Sequence, residues 1–219
     1  RIMHTDLITV APDTTLVEAK KVLEDKSIDH LLVVNSDKKL VGLVSDRDLK
    51  QYWASPATSL STHELNYLLE KVVVSMIMVK TVVTVPTSTT IERAALIMQQ
   101  HRISSLPVME NDELVGIITS TDVMGVLLDA IGISDNSIRL GVFVNDTIGK
   151  LSEITESLKN GGINIQSLFC WPEKNHDNIT QLVLRVAAED GSKAKAVLNE
   201  KGFKVKDRYE KDITPFLPS

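Results

Sequence analysis

A hydroxyl and a carboxylate three residues apart close two apolar stretches. Ser45 and Asp48 follow Gly42-Leu43-Val44, and Thr119 and Asp122 follow Gly116-Ile117-Ile118. The spacing serves two kinds of chemistry. At a helix start, the two side chains cap each other's backbone N–H groups, a capping box with Asp in place of the preferred Glu. The same turn exposes unpaired N–H groups and a partial positive charge that favour phosphate. A carboxylate one turn inside can accept from a ribose diol. Spacing alone leaves both readings open. Arg47 adds a charge suited to phosphate, while its counterpart Thr121 adds none.

These stretches belong to an internal repeat, the first thing to seek in a sequence. Leu40–Asp48 returns as Leu114–Asp122, and Ile2-Met3, Thr9-Val10, Thr14-Thr15, Ala19, Ile28, Leu31 and Val33 recur in order about 75 residues on. Each copy reads as strand, helix, strand, strand, helix. A β-branched segment (Leu7–Val10, Val82–Val85) precedes an amphipathic helix with Leu16, Ala19 and Leu23, or Ile91, Ala94 and Met98, on one face. Thr15 and Glu18 have capping-box spacing. Two apolar strands joined by a polar turn follow, Leu31–Val34 to Leu40–Val44 and Leu106–Met109 to Leu114–Ile118. The closing helices start at Asp46 and Ser120. Gly42 and Gly116 remove bulk where a backbone or ligand comes close.

Between the copies, residues 54–76 start rich in Ser, Thr and Pro and become an amphipathic helix. Ser61 and Glu64 form its box, Leu65, Leu68 and Leu69 its stripe, and His63 faces solvent. Beyond the second copy, Ile138–Val144 alternates as a strand. A helix with Ile148, Leu151, Ile154 and Leu158 on one face ends at Gly161-Gly162. Strands Ile163–Trp171 and Ile179–Val186, helix Ser192–Glu200 and strand Phe203–Val205 complete a ferredoxin-like β-α-β-β-α-β order.

Two β-α-β-β-α units ending in Gly-apolar-apolar-Ser/Thr-x-x-Asp resemble a tandem pair of CBS domains. The resemblance implies a pseudo-two-fold pair whose clefts take adenine nucleotides (AMP, ADP, ATP or S-adenosylmethionine), with the Asp on ribose and the Ser/Thr near phosphate. Carried onto this chain, the nucleotide candidates are Ile8, His30, Ser45, Arg47, Asp48, Val83, Arg102, Ser105, Thr119, Ser120 and Asp122. Ile8 and Val83 are candidates to line the adenine, or plain core. Unequal charges beside the two Asp residues predict that one cleft binds better.

The third segment resembles an ACT domain through Val144–Leu151 and Gly162-Ile163-Asn164-Ile165, although Ile148 stands where that family has Pro. The resemblance implies dimerisation or amino-acid binding at Asp146, Ile148, Gly149, Lys150 and Asn164. The whole order, with its "HELNYLLEK" insert, resembles the acetoin-utilisation type of bacterial CBS–ACT proteins and implies a link to acetoin catabolism.

The expected class is therefore α+β/α/β. The expected domains are CBS units at 1–53 and 77–131, an insert at 54–76, an ACT domain at 137–210 and a tail at 211–219. A regulatory homodimer is expected. It needs no cofactor, takes an adenine nucleotide as its regulatory ligand with magnesium as a candidate companion, and acts on an unknown regulated protein. The alternative is an interaction module whose turns only cap helices.

Composition narrows the partners. Net charge of −5 without a long basic run argues against nucleic acid. The densest apolar run, Val72–Val79, is too short to cross a bilayer. The single cysteine, Cys170, forbids an internal disulfide, suits a reducing cytoplasm and is expected buried or packed in a strand. The five histidines have no zinc-like spacing, and there is no nucleophile elbow, P-loop or dinucleotide glycine run, so no enzyme is expected. The missing initiator Met suggests a trimmed start.

Overall fold

A computed structural model describes residues 2–53, 64, 67 and 69–218. It divides into two compact units, Arg1–Met124 and Gly125–Ser219. Ser61, His63, Leu65 and Leu68 of the expected insert helix lie outside the described residues, while Leu69 is buried in the core of the first copy.

The first unit holds the first repeat and the second as far as Met124 in its closing helix. Copy one runs β1 (Thr9–Val10), α1 (Leu16–Lys26), β2 (His30–Val34), β3 (Leu40–Ser45) and α2 (Asp46–Tyr52). A four-residue helix, α3 (Val74–Ile77), leads into β4 (Val85–Pro86), α4 (Ile91–His101), β5 (Ser105–Glu110), β6 (Glu113–Thr119) and α5 (Ser120–Ile131). Each copy makes a three-stranded sheet, its first strand parallel to the second and the hairpin antiparallel. Thr15 caps α1 in a full capping box with Glu18, and the predicted face of Leu16, Ala19 and Leu23 is buried. Thr90 caps α4, where Ala94 and Met98 are buried and Ile91 packs at the edge.

The first strands are shorter than the predicted Leu7–Val10 and Val82–Val85. Ahead of each, the leading segments are exchanged between the copies. His4 pairs with Ile117 of the second copy through two backbone bonds of 2.9 and 3.0 Å, and Val79 pairs with Leu43 of the first through bonds of 3.0 and 2.9 Å. Met3 thus packs on the second core and Met78 on the first. The two glycines make room for them. A Cβ at Gly42 would lie 2.3 Å from Met78 Sδ, and one at Gly116 2.6 Å from Met3 Sδ and 3.2 Å from His4 O. The close approach expected at these glycines is therefore a close approach of the chain itself.

The second unit contains β7 (Ser137–Asn145), α6 (Lys150–Asn160), β8 (Ile165–Pro172), β9 (Ile179–Ala187), α7 (Gly191–Glu200) and β10 (Val205–Lys206). Its sheet is antiparallel in the order β10-β7-β9-β8, the ferredoxin-like connectivity. Ile154, Leu158, Ala194 and Leu198 of the helices are buried with Leu140, Val142, Leu182, Leu184 and Val186 of the strands. Period-2 alternation gives each strand one face for that core.

Three expectations fail here. Ile148 is fully exposed, because it precedes Gly149, whose φ of +96° turns the chain before α6 begins at Lys150. Leu151 is also exposed, so Ile154 and Leu158 anchor the helix. Cys170 lies in β8 but is exposed rather than buried, since β8 is an edge strand. No helix among the described residues is long and apolar enough to cross a membrane.

Candidate functional site

Both hydroxyl–carboxylate turns form. Ser45 Oγ and N donate to Asp48 Oδ2 at 2.6 and 2.8 Å, and Asp48 N donates back to Ser45 Oγ at 3.3 Å. Thr119 Oγ1 and N donate to Asp122 Oδ2, each at 2.7 Å, and Asp122 N donates back at 3.3 Å. The apolar strand delivers the hydroxyl in extended conformation (Ser45 φ −109°, ψ 162°), and the following helix delivers the carboxylate three residues later.

Capping uses one carboxylate oxygen and leaves the other. Among the described residues no hydrogen bond reaches Asp48 Oδ1. Asp122 Oδ1 accepts from His4 Nε2 at 2.9 Å. His4 stands where the repeat places Val79 in the other copy, so the inequality between the turns has a structural cause. Burial raises the Asp122 carboxyl, but the Thr119 hydrogen bonds and the His4 contact outweigh it and hold the group below its usual value.

His30 faces Ser45 across the β2–β3 ladder, and Ser105 faces Thr119 across the β5–β6 ladder. His30 Nε2 shares a 2.9 Å hydrogen bond with Ser104 Oγ, joining the two copies. Burial pushes His30 below its ordinary value, against Asp29 and Asp48, which raise it, and with Arg47, which lowers it. The unfolded chain therefore binds this proton more readily. The contribution of neutral His30 is complete above about pH 6.5 and is lost progressively as pH falls below it. Urea melts between pH 7.5 and 5.5 should show the wild type losing stability relative to His30→Gln; parallel profiles would remove this assignment.

The remaining candidates are distributed as follows. Arg47 is exposed in the first turn of α2, and Ser120 is exposed in the first turn of α5. Ser105 is buried. Arg102 is exposed at the left-handed end of α4 (φ +54°). Val83 packs at the edge of the second core. Ile8 lines a cleft of about 470 Å³ together with His4, Lys26 and Ile28. Through His4 that cleft adjoins Asp122, so Ile8 of one copy and the carboxylate of the other come to one place. Sequence reasoning missed His4 and Ser104. The only available signal for His4 was the departure from the repeat at position 79.

In the second unit Asp146, Ile148 and Gly149 are exposed in the turn before α6, and Asn164 is exposed before β8. Asp146 N donates to Asn178 O, and Lys150 Nζ pairs with Glu153 at 2.8 Å. A Cβ at Gly149 would meet nothing within 4 Å. Among the described residues, no group of three His, Cys, Asp or Glu side chains is placed to hold a metal ion.

Two copies of one sheet-and-helix unit exchange their leading segments, and each ends in the same capped turn. Residues 1–55 and 74–129 match the family model of the CBS domain, and the chain belongs to the CBS-domain family. It is 33% identical over 129 residues to a CBS domain-containing protein of Dictyostelium discoideum, covering 58% of this chain and 89% of that one. A Burkholderia ambifaria protein with CBS domains has a similar fold (TM-score 0.50, 24% identity, 60% of this chain and 89% of that one). The chain is also similar to CBSX2, solved in complex with AMP (TM-score 0.48, 30% identity, 58% of this chain and 93% of that one). A match to homoserine O-acetyltransferase of Methanohalobium evestigatum, 36% identical over 123 residues, spans 56% of this chain but only 22% of that enzyme's length. The matches to inosine-5'-monophosphate dehydrogenases of Nitrosopumilus maritimus and Methanocaldococcus jannaschii likewise span 22% of the enzyme.

Proposed function

We propose that the protein is a regulatory sensor of adenine nucleotides. The observation that carries this reading is the twice-built turn in which capping consumes Oδ2 of the Asp and leaves Oδ1 for another donor. A ribose diol supplies such donors. The phosphate lies toward Ser45 and Arg47, or toward Thr119, Ser120 and Arg102. His30 and Ser105 line the opposite strands, and Ile8 and Val83 flank the adenine. The Asp48 turn is the readier of the two, because the Asp122 turn must first part from His4 or take it into the site. AMP, ADP, ATP and S-adenosylmethionine share the required adenosine, and a magnesium ion belongs with the polyphosphates.

In this reading the CBS units occupy 1–53 and 77–131 around the insert at 54–76. The segment 137–210 is an ACT domain, followed by the tail at 211–219. Its strand order and the positive φ of Gly149 support that assignment. It joins two copies of the chain, or takes an amino acid at Asp146, Ile148, Gly149, Lys150 and Asn164, and passes the nucleotide signal to a regulated protein. The resemblance of the chain's domain order to the acetoin-utilisation proteins is what supports a link to acetoin catabolism.

Thermal melts of the pure chain with adenine nucleotides, S-adenosylmethionine and amino acids test the proposal. A ligand at about 100 times its dissociation constant adds about 2.7 kcal/mol, a rise on the order of 5–10 °C for a unit of this size. A flat panel, in protein stripped of carried-over nucleotide, would leave the turns as helix caps.

A further inference from the structure

The β-sheet of the second unit has a second face, turned away from Ile154, Leu158, Ala194 and Leu198. Strand alternation and pairing place three basic side chains on it. Arg139 on β7 stands directly opposite Arg185 on β9, and Lys206 on β10 is paired with Gly141. No carboxylate lies within ion-pair distance of Arg139, Arg185 or Lys206 among the described residues. Like charges directly opposite on a sheet are destabilising, and burial together with the Arg185 charge pushes the Arg139 guanidinium down from its usual value.

The basic side chains do not satisfy one another. Arg185 Nη1 donates to Ser137 Oγ at 2.5 Å, but its Nε is buried with no partner among the described residues. Lys206 is 8% exposed, donates to Glu210 O at 3.1 Å and lies over the rings of Phe143 and Tyr209 at 5.9 and 5.7 Å, none of which carries a countercharge. Gln181, also 8% exposed, makes no side-chain hydrogen bond among the described residues. Its amide and Arg139 converge over a glycine. From the point where a Cβ would stand on Gly141, Gln181 Nε2 is 3.4 Å away, the Lys206 backbone oxygen 3.5 Å and Arg139 Nη1 3.7 Å, so an anion must approach from the side of the two donors. An amide and a guanidinium without hydrogen-bond partners among the described residues, meeting over one glycine close to the buried, unpaired Arg185 Nε, form a cradle for an anion.

We infer that this face binds a phosphate-type dianion over Gly141, held by Arg139 and Gln181 and balanced by Arg185 and Lys206. One compact group must answer several positive charges, and a phosphoryl group carries nearly two negative charges on one centre where a carboxylate carries one. The site is separate from the hydroxyl–carboxylate turns and does not depend on the nucleotide reading.

The test is calorimetric and thermal titration of the full chain with inorganic phosphate, glycerol 3-phosphate, acetate and chloride at constant ionic strength. Saturable stabilisation by phosphate beyond chloride is expected. Arg139→Gln should weaken it about tenfold through loss of a charge-assisted hydrogen bond. Gly141→Ala should weaken it comparably by filling the cradle, with the fold retained because the new methyl meets its neighbours at ordinary contact distance. Both variants should keep the wild-type response to adenosine and S-adenosylmethionine, which carry no phosphoryl group. Inorganic phosphate alone as ligand marks a free-phosphate site, and glycerol 3-phosphate as well marks a phosphomonoester site. Acetate acting as strongly as phosphate, or both variants responding to phosphate as the wild type does, overturns the inference.

Discussion

Replacing Asp48 and Asp122 together by alanine is expected to cut adenine-nucleotide affinity by roughly a hundredfold or more. A hydrogen bond to a charged group contributes about 1.5–3 kcal/mol, a ribose diol offers two, and each 1.4 kcal/mol is about tenfold in affinity. The same change removes the carboxylate half of two capping boxes, at a cost of about 1 kcal/mol each. Stability alone therefore cannot separate sensor from cap. Ser45→Ala with Thr119→Ala gives the separation. It breaks the same boxes and lowers stability similarly, yet keeps both carboxylates. Isothermal titration should find that the Asp pair costs far more affinity than the hydroxyl pair. Equal, small losses in both would reduce the turns to helix caps.

Gly42→Val should destabilise the first unit by about 2–3 kcal/mol, the upper range for overpacking a filled site. A Cβ there would sit 2.3 Å from Met78 Sδ, 2.8 Å from its Cγ and 3.2 Å from its Cβ. The sulfur could swing aside, but the Met78 Cβ cannot follow, because the two Val79–Leu43 backbone bonds pin the segment next to it. Urea melts should register the loss, and Met78→Ala should recover part of it in a double-mutant cycle, since residues in contact couple. A Gly42→Val midpoint equal to wild type would show that the segment is not held there.

Much of this was legible in the sequence because it rests on local rules. The Thr15–Glu18 box, the Leu16–Ala19–Leu23 face and the starts of the closing helices at Asp46 and Ser120 follow from spacing. The repeat revealed the paired turns. Long-range pairing was hidden. Nothing near Met3 or Met78 in the sequence says that each packs on the other copy's core, or that His4 reaches Asp122. Ile148 misled because its spacing fits the helix face, while a positive-φ glycine just after it starts the helix later. Arg139 and Arg185 carried no signal at all, since their opposition exists only in the β7–β9 register.

The exchanged leading segments also set an order of assembly on the ribosome. A chain emerging from its N-terminus folds in that direction where it can. The first copy cannot cover Gly42 until Met78 and Val79 have emerged, and the arm carrying Met3 and His4 has no docking strand until Ile117 follows. Residues at the front of the first copy are therefore made before the second copy yet find their place only after it, and a nascent chain stalled between the copies presents an open β3 edge to its neighbours.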